Sequence, residues 1–220
     1  MCADYHLQAY WERRYEKEPD SFEWYQNYAA LKPHIYPYVS EQPRTALLHV
    51  GCGNSRLGEG LYRDGITHIV NIDSCRTVID VMNNKHKLLI EMKYLTMDVR
   101  DLKFDDETFD VCLDKGTLDC FACGEDAATE VSTMLKEVNR VLKPGGVYIC
   151  ISFGTPNTRA HYFQAVPAWT LESTVTIDKP KQSYEADLVD LVHYIYVLRK
   201  QDKVAAPASE PGRNLEPGNE

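Results

Sequence analysis

From Thr45 onward, five short runs of apolar and β-branched residues, ALLHV, HIVNI, KYLTM, FDVCLD and VYICISF, alternate with longer helix-compatible stretches. Strand, helix, strand repetition requires parallel strands with crossover helices packed on both faces of the sheet. The runs are strand-sized, and none approaches the roughly 18 apolar residues of a membrane span. After Phe153 the pattern changes. WTLESTVTI (Trp169 to Ile177) and VHYIYVLRK (Val192 to Lys200) follow one another with no helical periodicity between them, which reads as an antiparallel hairpin at one sheet edge. The expected fold is α/β, a Rossmann-like, doubly wound and mostly parallel sheet of seven strands in a single domain.

The clearest helix precedes the fifth run. In TEVSTMLKEVNRVLKPGG, Val131, Met134, Leu135, Val138, Val141 and Leu142 recur at the i, i+3, i+4, i+7 spacing of one helical face, with Pro144, Gly145 and Gly146 as the stop. Residues 1–44 carry Tyr5, Tyr10, Trp11, Tyr15, Phe22, Trp24, Tyr25, Tyr28, Tyr36 and Tyr38, so an aromatic-rich N-terminal helical cap is expected ahead of a domain over 45–200. Residues 201–220 hold three prolines and two glycines with hardly any large apolar group, the composition of a disordered tail.

Composition narrows the function classes. With 220 residues, 44% hydrophobic and 26% charged, the chain has enough apolar material for one packed core. A net charge of −9 opposes a nucleic-acid footprint, which needs clustered Lys and Arg. Neither a signal nor a transit profile opens the sequence, and seven scattered cysteines suit reduced thiols, so a cytoplasmic or nuclear protein away from membranes is expected. Between Asp98 and Glu130, eleven acids face Arg100, Lys103 and Lys115, a local charge of −8. Solvated turns are the plainer reading; an acidic rim attracting a basic substrate is the other.

The first run leads into LLHVGCGNSRLGEGL, a strand, a glycine turn at Gly51 and Gly53, and a helix start whose free N–H groups suit a ligand. The second ends at Asp73, twenty-two residues past Gly51, where a carboxylate can take both hydroxyls of an adenosine ribose. A dinucleotide is disfavoured, because the place of the third small residue holds Arg56. After the third run, Asp98 is positioned to accept from an adenine amino group beside the Val99 backbone. The fourth puts Asp114 and Lys115 at the carboxyl end of a strand, with Asp119 in the loop beyond. Cys120 and Cys123 form a C-x-x-C without a second pair or histidine partners at zinc spacing, so no metal is expected.

Taken together, HVGCGNS, NIDS, MDVRDL, FDVCLDKG and LKPGG resemble the class I, seven-stranded, S-adenosylmethionine-dependent methyltransferases. YWERRY, Glu23-Trp24-Tyr25 and DKGTLD are similar to the protein-lysine methyltransferase group that contains elongation factor 1-alpha lysine methyltransferase 4 and methyltransferase-like 13. The resemblance implies cofactor contacts at Trp11, Tyr15, Trp24, Gly51, Asp73, Ser74, Asp98, Val99 and Lys115. Its cofactor is S-adenosyl-L-methionine, leaving S-adenosyl-L-homocysteine, and its acceptor a basic or lysine-bearing protein, with elongation factor 1-alpha the expected one and a monomeric enzyme. Two positions depart from the wider pattern: His49 replaces an acid two residues before the first glycine, and Ser55 a third glycine.

The chemistry of the residues agrees. A sulfonium is a cation without donors, and Trp11 and Tyr15 stand one helical turn apart to offer it aromatic faces. Asp114 and Asp119 are the candidate catalytic carboxylates, placed to stabilise charge growing on a lysine nitrogen. The alternatives are a small-molecule or citrate synthase-type methyltransferase, and a cofactor-binding interaction module without activity.

Overall fold

The computed structural model describes residues 4–18, 20–39, 44–180 and 191–201. The predicted tail, beyond Gln201, lies outside the described residues. The first strands and helices follow the sequence pattern: β1 (Leu47–Val50), α3 (Leu57–Arg63), β2 (Ile69–Asp73), α4 (Arg76–Lys85), β3 (Met92–Thr96) and β4 (Phe109–Lys115), with α1 (Gln8–Lys17) and α2 (Tyr28–Ile35) ahead of them. Then come α5 (Thr117–Phe121), α6 (Ala127–Val141), β5 (Leu142–Ser152), α7 (Pro156–Gln164), β6 (Trp169–Asp178) and β7 (Val192–Lys200).

The strands form one seven-stranded sheet in the order β3-β2-β1-β4-β5-β7-β6. The first five pair in parallel, while β7 runs antiparallel to both β5 and β6. The doubly wound sheet and its antiparallel hairpin are therefore as expected. The last strand among the described residues, β7, sits inside, between β5 and β6, and β6 is the edge. Alternate strand residues feed two cores. Leu47, Ile69, Val111 and Ile149 pack with Leu31, Leu57 and Met82, whereas Leu48, Cys112, Tyr148 and Cys150 pack with Leu118, Met134 and Val138. Because β1 lies between β2 and β4, the winding reverses there, and a crevice opens at the carboxyl ends of those strands.

One boundary and one helix depart from the sequence pattern. Val131, Met134, Leu135, Val138 and Val141 are buried on α6 as predicted, but Leu142 is already extended (φ −75°, ψ 140°) and opens β5. The helix thus ends before Pro144, and Pro144-Gly145-Gly146 belong to the strand, entering it with a register shift opposite Phe109 and Val111. The residue before a proline avoids the helical region, so Lys143 favours the strand. The second difference is α7, which carries no helical stripe: Arg159 and Phe163 are its buried residues.

Candidate active site

A cavity of about 450 Å³ occupies the crevice, within the range of small-molecule sites. Trp11, Tyr15, Trp24, Gly51, Asp73, Ser74, Asp98, Val99 and Lys115 all line it, and so does Asp119. Its floor is the glycine turn. Gly51 and Gly53 have φ of 54° and 50°, and a Cβ on Gly53 would stand 2.5 Å from the Tyr15 hydroxyl. Only glycine permits both the left-handed turn and that approach.

Asp73 fixes this turn to the end of β2. Its two carboxylate oxygens accept from the Gly53 and Cys75 amides, each at 2.9 Å. Burial raises its pKa, with those amide bonds working against the rise. Each oxygen keeps a further lone pair for a ligand hydroxyl. Asp98 accepts from the Arg100 amide at 2.9 Å and from its guanidinium, which also pairs with Glu130. Burial works to raise the Asp98 pKa, but the Arg100 bonds prevail and hold it low.

The roof is aromatic. Trp11 stacks on Tyr15 with ring centroids 5.9 Å apart and meets Trp24 edge-on at 5.8 Å. Two anchors hold this N-terminal layer. Glu12 accepts from the Arg76 and Thr77 amides at the start of α4, where the helix dipole favours a carboxylate. Glu23 accepts from Lys115 Nζ at 2.6 Å, from Ser55 Oγ at 2.8 Å and from the Arg56 amide at 2.6 Å. Lys115 also donates to the Trp24 carbonyl at 3.0 Å. Burial lowers the Lys115 pKa, with Glu23 opposing. The two departures from the glycine pattern now have physical reasons. Ser55 holds Glu23 and accepts from the Leu57 amide at the start of α3. His49 lies against Asn71 at 3.1 Å, and burial lowers its pKa to about 4, so a neutral ring faces the cavity.

The two candidate catalytic carboxylates part company. Asp114, expected from the sequence to be a catalytic carboxylate, does not line the cavity. It is fully buried, accepting from the Thr117 amide at 2.7 Å, the Leu118 amide at 3.0 Å and the Tyr148 hydroxyl at 2.6 Å. Its place is beneath α5. Asp119 does reach the cavity wall, but both of its oxygens are occupied. Oδ1 accepts from Ser152 Oγ at 2.5 Å and from the Arg159 guanidinium at 2.8 Å, Oδ2 from the Tyr25 hydroxyl at 2.8 Å and the Phe153 amide at 3.0 Å. Tyr25 lines the cavity, and Glu23, Ser152 and Arg159 hold its wall residues Lys115 and Asp119 from outside it; spacing did not single out any of the four. Cys120 and Cys123 also line the cavity, and burial raises the Cys120 thiol well above its usual range. Among the described residues no group of three His, Cys, Asp or Glu is placed to hold a metal ion, and no helix is long and apolar enough to cross a membrane.

This layout, glycine turn, strand-end acid and reversed winding under an aromatic roof, defines an adenosyl-cofactor methyltransferase of the seven-stranded class. A family model described as a methyltransferase domain matches residues 48–150. Mouse EEF1A lysine methyltransferase 4 is 34% identical over 181 residues, covering 77% of this chain and 70% of that protein. Mouse eEF1A lysine and N-terminal methyltransferase is 43% identical over 147 residues, 65% of this chain, but the match spans 21% of that protein's length. In fold, the chain is similar to the 1,6-didemethyltoxoflavin-N1-methyltransferase of Burkholderia thailandensis, with a TM-score of 0.67 at 18% identity over 92% of each chain. The chain belongs to the S-adenosylmethionine-dependent methyltransferases, in the family that includes EEF1A lysine methyltransferase 4.

The residues present fit that family's cofactor. The glycine cradle admits a backbone approach that a Cβ would block, Asp73 has acceptor capacity for a ribose, and the roof offers aromatic faces to a sulfonium.

Proposed function

We propose that this protein transfers a methyl group from S-adenosylmethionine to the ε-amine of a lysine in a protein, with elongation factor 1-alpha as the acceptor. The observation that carries the reading is the DKGTLD turn, whose Lys115, Gly116, Thr117 and Asp119 form cavity wall beneath the aromatic layer. The naming of the 34%-identical relative for elongation factor 1-alpha lysine methylation supports the acceptor. In this reading residues 1–44 cap a methyltransferase domain over 45–200 and supply Trp11, Tyr15 and Trp24 to the cofactor. Asp73 and Ser74 hold the ribose side, Asp98 and Val99 the adenine, and Gly51 and Lys115 the amino-acid end. The enzyme works as a monomer in the cytoplasm or nucleus, which agrees with the six described cysteines being free thiols.

When bound, the cofactor supplies an electrophilic methyl carbon on a cationic sulfur. The chain's own part is to orient and desolvate. An acceptor amine entering this cavity must be neutral, and burial beside a cation lowers its pKa toward that state. In-line approach at about 3 Å then depends on the walls holding the amine in place. The test is incubation of the protein with recombinant elongation factor 1-alpha and methyl-tritiated cofactor, followed by mass spectrometry of the labelled peptide. Whole methyl increments on one lysine are expected. Label found only in small molecules would overturn the reading.

A further inference from the structure

Tyr25 has a backbone φ of 62°, a left-handed conformation that a bulky residue rarely adopts. Such strain persists where surrounding contacts fix the residue for a purpose. Here they are visible. Gly116, itself at φ 88°, leaves room for the ring, since a Cβ there would stand 3.1 Å from Tyr25 Cε2. The ring lies 4.7 Å from His193 and meets Phe153 edge-on at 6.3 Å. Its hydroxyl donates to Asp119 Oδ2 at 2.8 Å, and the residue lines the cavity.

Asp119 itself has little left to offer. Four groups besides the tyrosine donate to it: Ser152 Oγ, Arg159 Nε and Nη2, and the Phe153 amide. Its charge is answered by Arg159 at 2.8 Å, in a pair whose side chains are only 2% and 6% exposed. A saturated, neutralised carboxylate is a poor partner for an incoming amine. The tyrosine oxygen is different, because its one proton is committed to Asp119 while its lone pairs are not.

We infer that Tyr25 is the residue that meets the acceptor lysine, its phenol oxygen accepting an N–H bond from the neutral ε-amine while Asp119 acts behind it as a positioning residue. This assignment rests on the lysine-methylation reading above. The amine lone pair forms the new N–C bond as the S–C pair departs to sulfur, so positive charge grows on nitrogen. The N–H bond to Tyr25 strengthens as that charge grows, and the polarity Asp119 lends the phenol adds to it. The product ammonium then loses its proton to water; Tyr25 neither gives nor takes one. Burial and Asp119 hold the phenol pKa far above its usual range, so the hydroxyl stays protonated.

The test uses Tyr25→Phe, Asp119→Asn and the double variant, with elongation factor 1-alpha as acceptor at saturating cofactor. Cofactor affinity is read separately by calorimetry. Tyr25→Phe is expected to lower kcat about 10- to 100-fold with cofactor Kd unchanged. The double variant should be no slower than the slower single one, because Asp119 works through the hydroxyl. Parental turnover in Tyr25→Phe overturns the assignment, as do losses that multiply in the double variant or a cofactor affinity that falls with the hydroxyl. A parent protein that binds cofactor yet leaves lysine unmodified fails the underlying reading, and this assignment with it.

Discussion

At the scale of single residues, Asp73 does two things with one carboxylate: it pins the glycine turn and faces the cavity. Replacing it by alanine should weaken cofactor binding by about 1–3 kcal/mol, read by titration calorimetry, and lower the melting temperature as well. Unchanged affinity would remove the ribose assignment. Asp73 was legible in the sequence because strand end and spacing from Gly51 suffice to place it. Asp114 was not. It and Lys115 are adjacent on β4, so they point to opposite faces, and nothing local says which face holds the cavity. Lys115 went to Glu23 and the cavity, Asp114 to Tyr148 and the amides of α5. Asp114→Asn should therefore act on the fold, lowering the melting temperature while the folded fraction keeps its cofactor affinity. A variant with parental stability and lost turnover would reverse that assignment.

At the scale of elements, the notable piece is irregular: the segment from Asp20 to Gln26 crosses the site without a helix or strand of its own. It is stitched down at several points. Phe22 N donates to Asn54 Oδ1, Asn54 Nδ2 to the Asp20 carbonyl, Glu23 takes Lys115, and Gln26 Nε2 reaches the Asp178 carbonyl. Glu23 is the central stitch, and removing it leaves the buried Lys115 cation without its carboxylate. Glu23→Ala should speed amide exchange across residues 20–26 and weaken cofactor binding about tenfold or more, given a lost charged bond of about 1.5–3 kcal/mol. Exchange unchanged in that segment would show that the aromatic packing alone holds it. No sequence pattern reveals this strap, because its partners lie 32 and 92 residues away. By contrast α6 was legible, since five buried positions repeat at helical spacing, whereas α7 buries only two and gives no stripe to read.

At the scale of the whole molecule, two fields of charge act, one inside and one outside. Inside, burial lowers His49 and His193 to about 4, from 6.5 in the unfolded chain. Between those values the unfolded chain binds protons that the folded one refuses, so stability falls as pH drops through that window. Asp114, pushed up to about 7 chiefly by burial from 3.8, opposes this: its contribution is full below 3.8 and is lost as pH rises through 7. His86 is lowered by burial as well and Asp73 raised by it, so three imidazoles against two carboxylates leave a melting temperature that climbs from pH 4.5 to 6.5, and Asp114→Asn should make the climb steeper. Outside, the acidic stretch divides by position. Asp105, Asp106 and Glu107 precede Phe109 at the start of β4, and the cavity lies at the other end of that strand. Seven residues at about 3.3 Å each put the two ends about 20 Å apart, well beyond the Debye length of about 8 Å at 0.15 M salt. Asp106 is in any case paired with Arg140. Those three acids therefore do not form a rim of the site. Glu125 and Asp126 are better placed, exposed just beyond Cys123 of the cavity wall. Neutralising Glu125 and Asp126 together should raise KM for a basic protein acceptor severalfold at low salt, with kcat unchanged and the difference fading as salt rises. Neutralising Asp105, Asp106 and Glu107 together should leave the salt dependence of KM as in the parent. If the triple variant shifts that dependence and the pair does not, the acceptor approaches from the opposite end of the strands, and the cavity described above is not where its lysine enters.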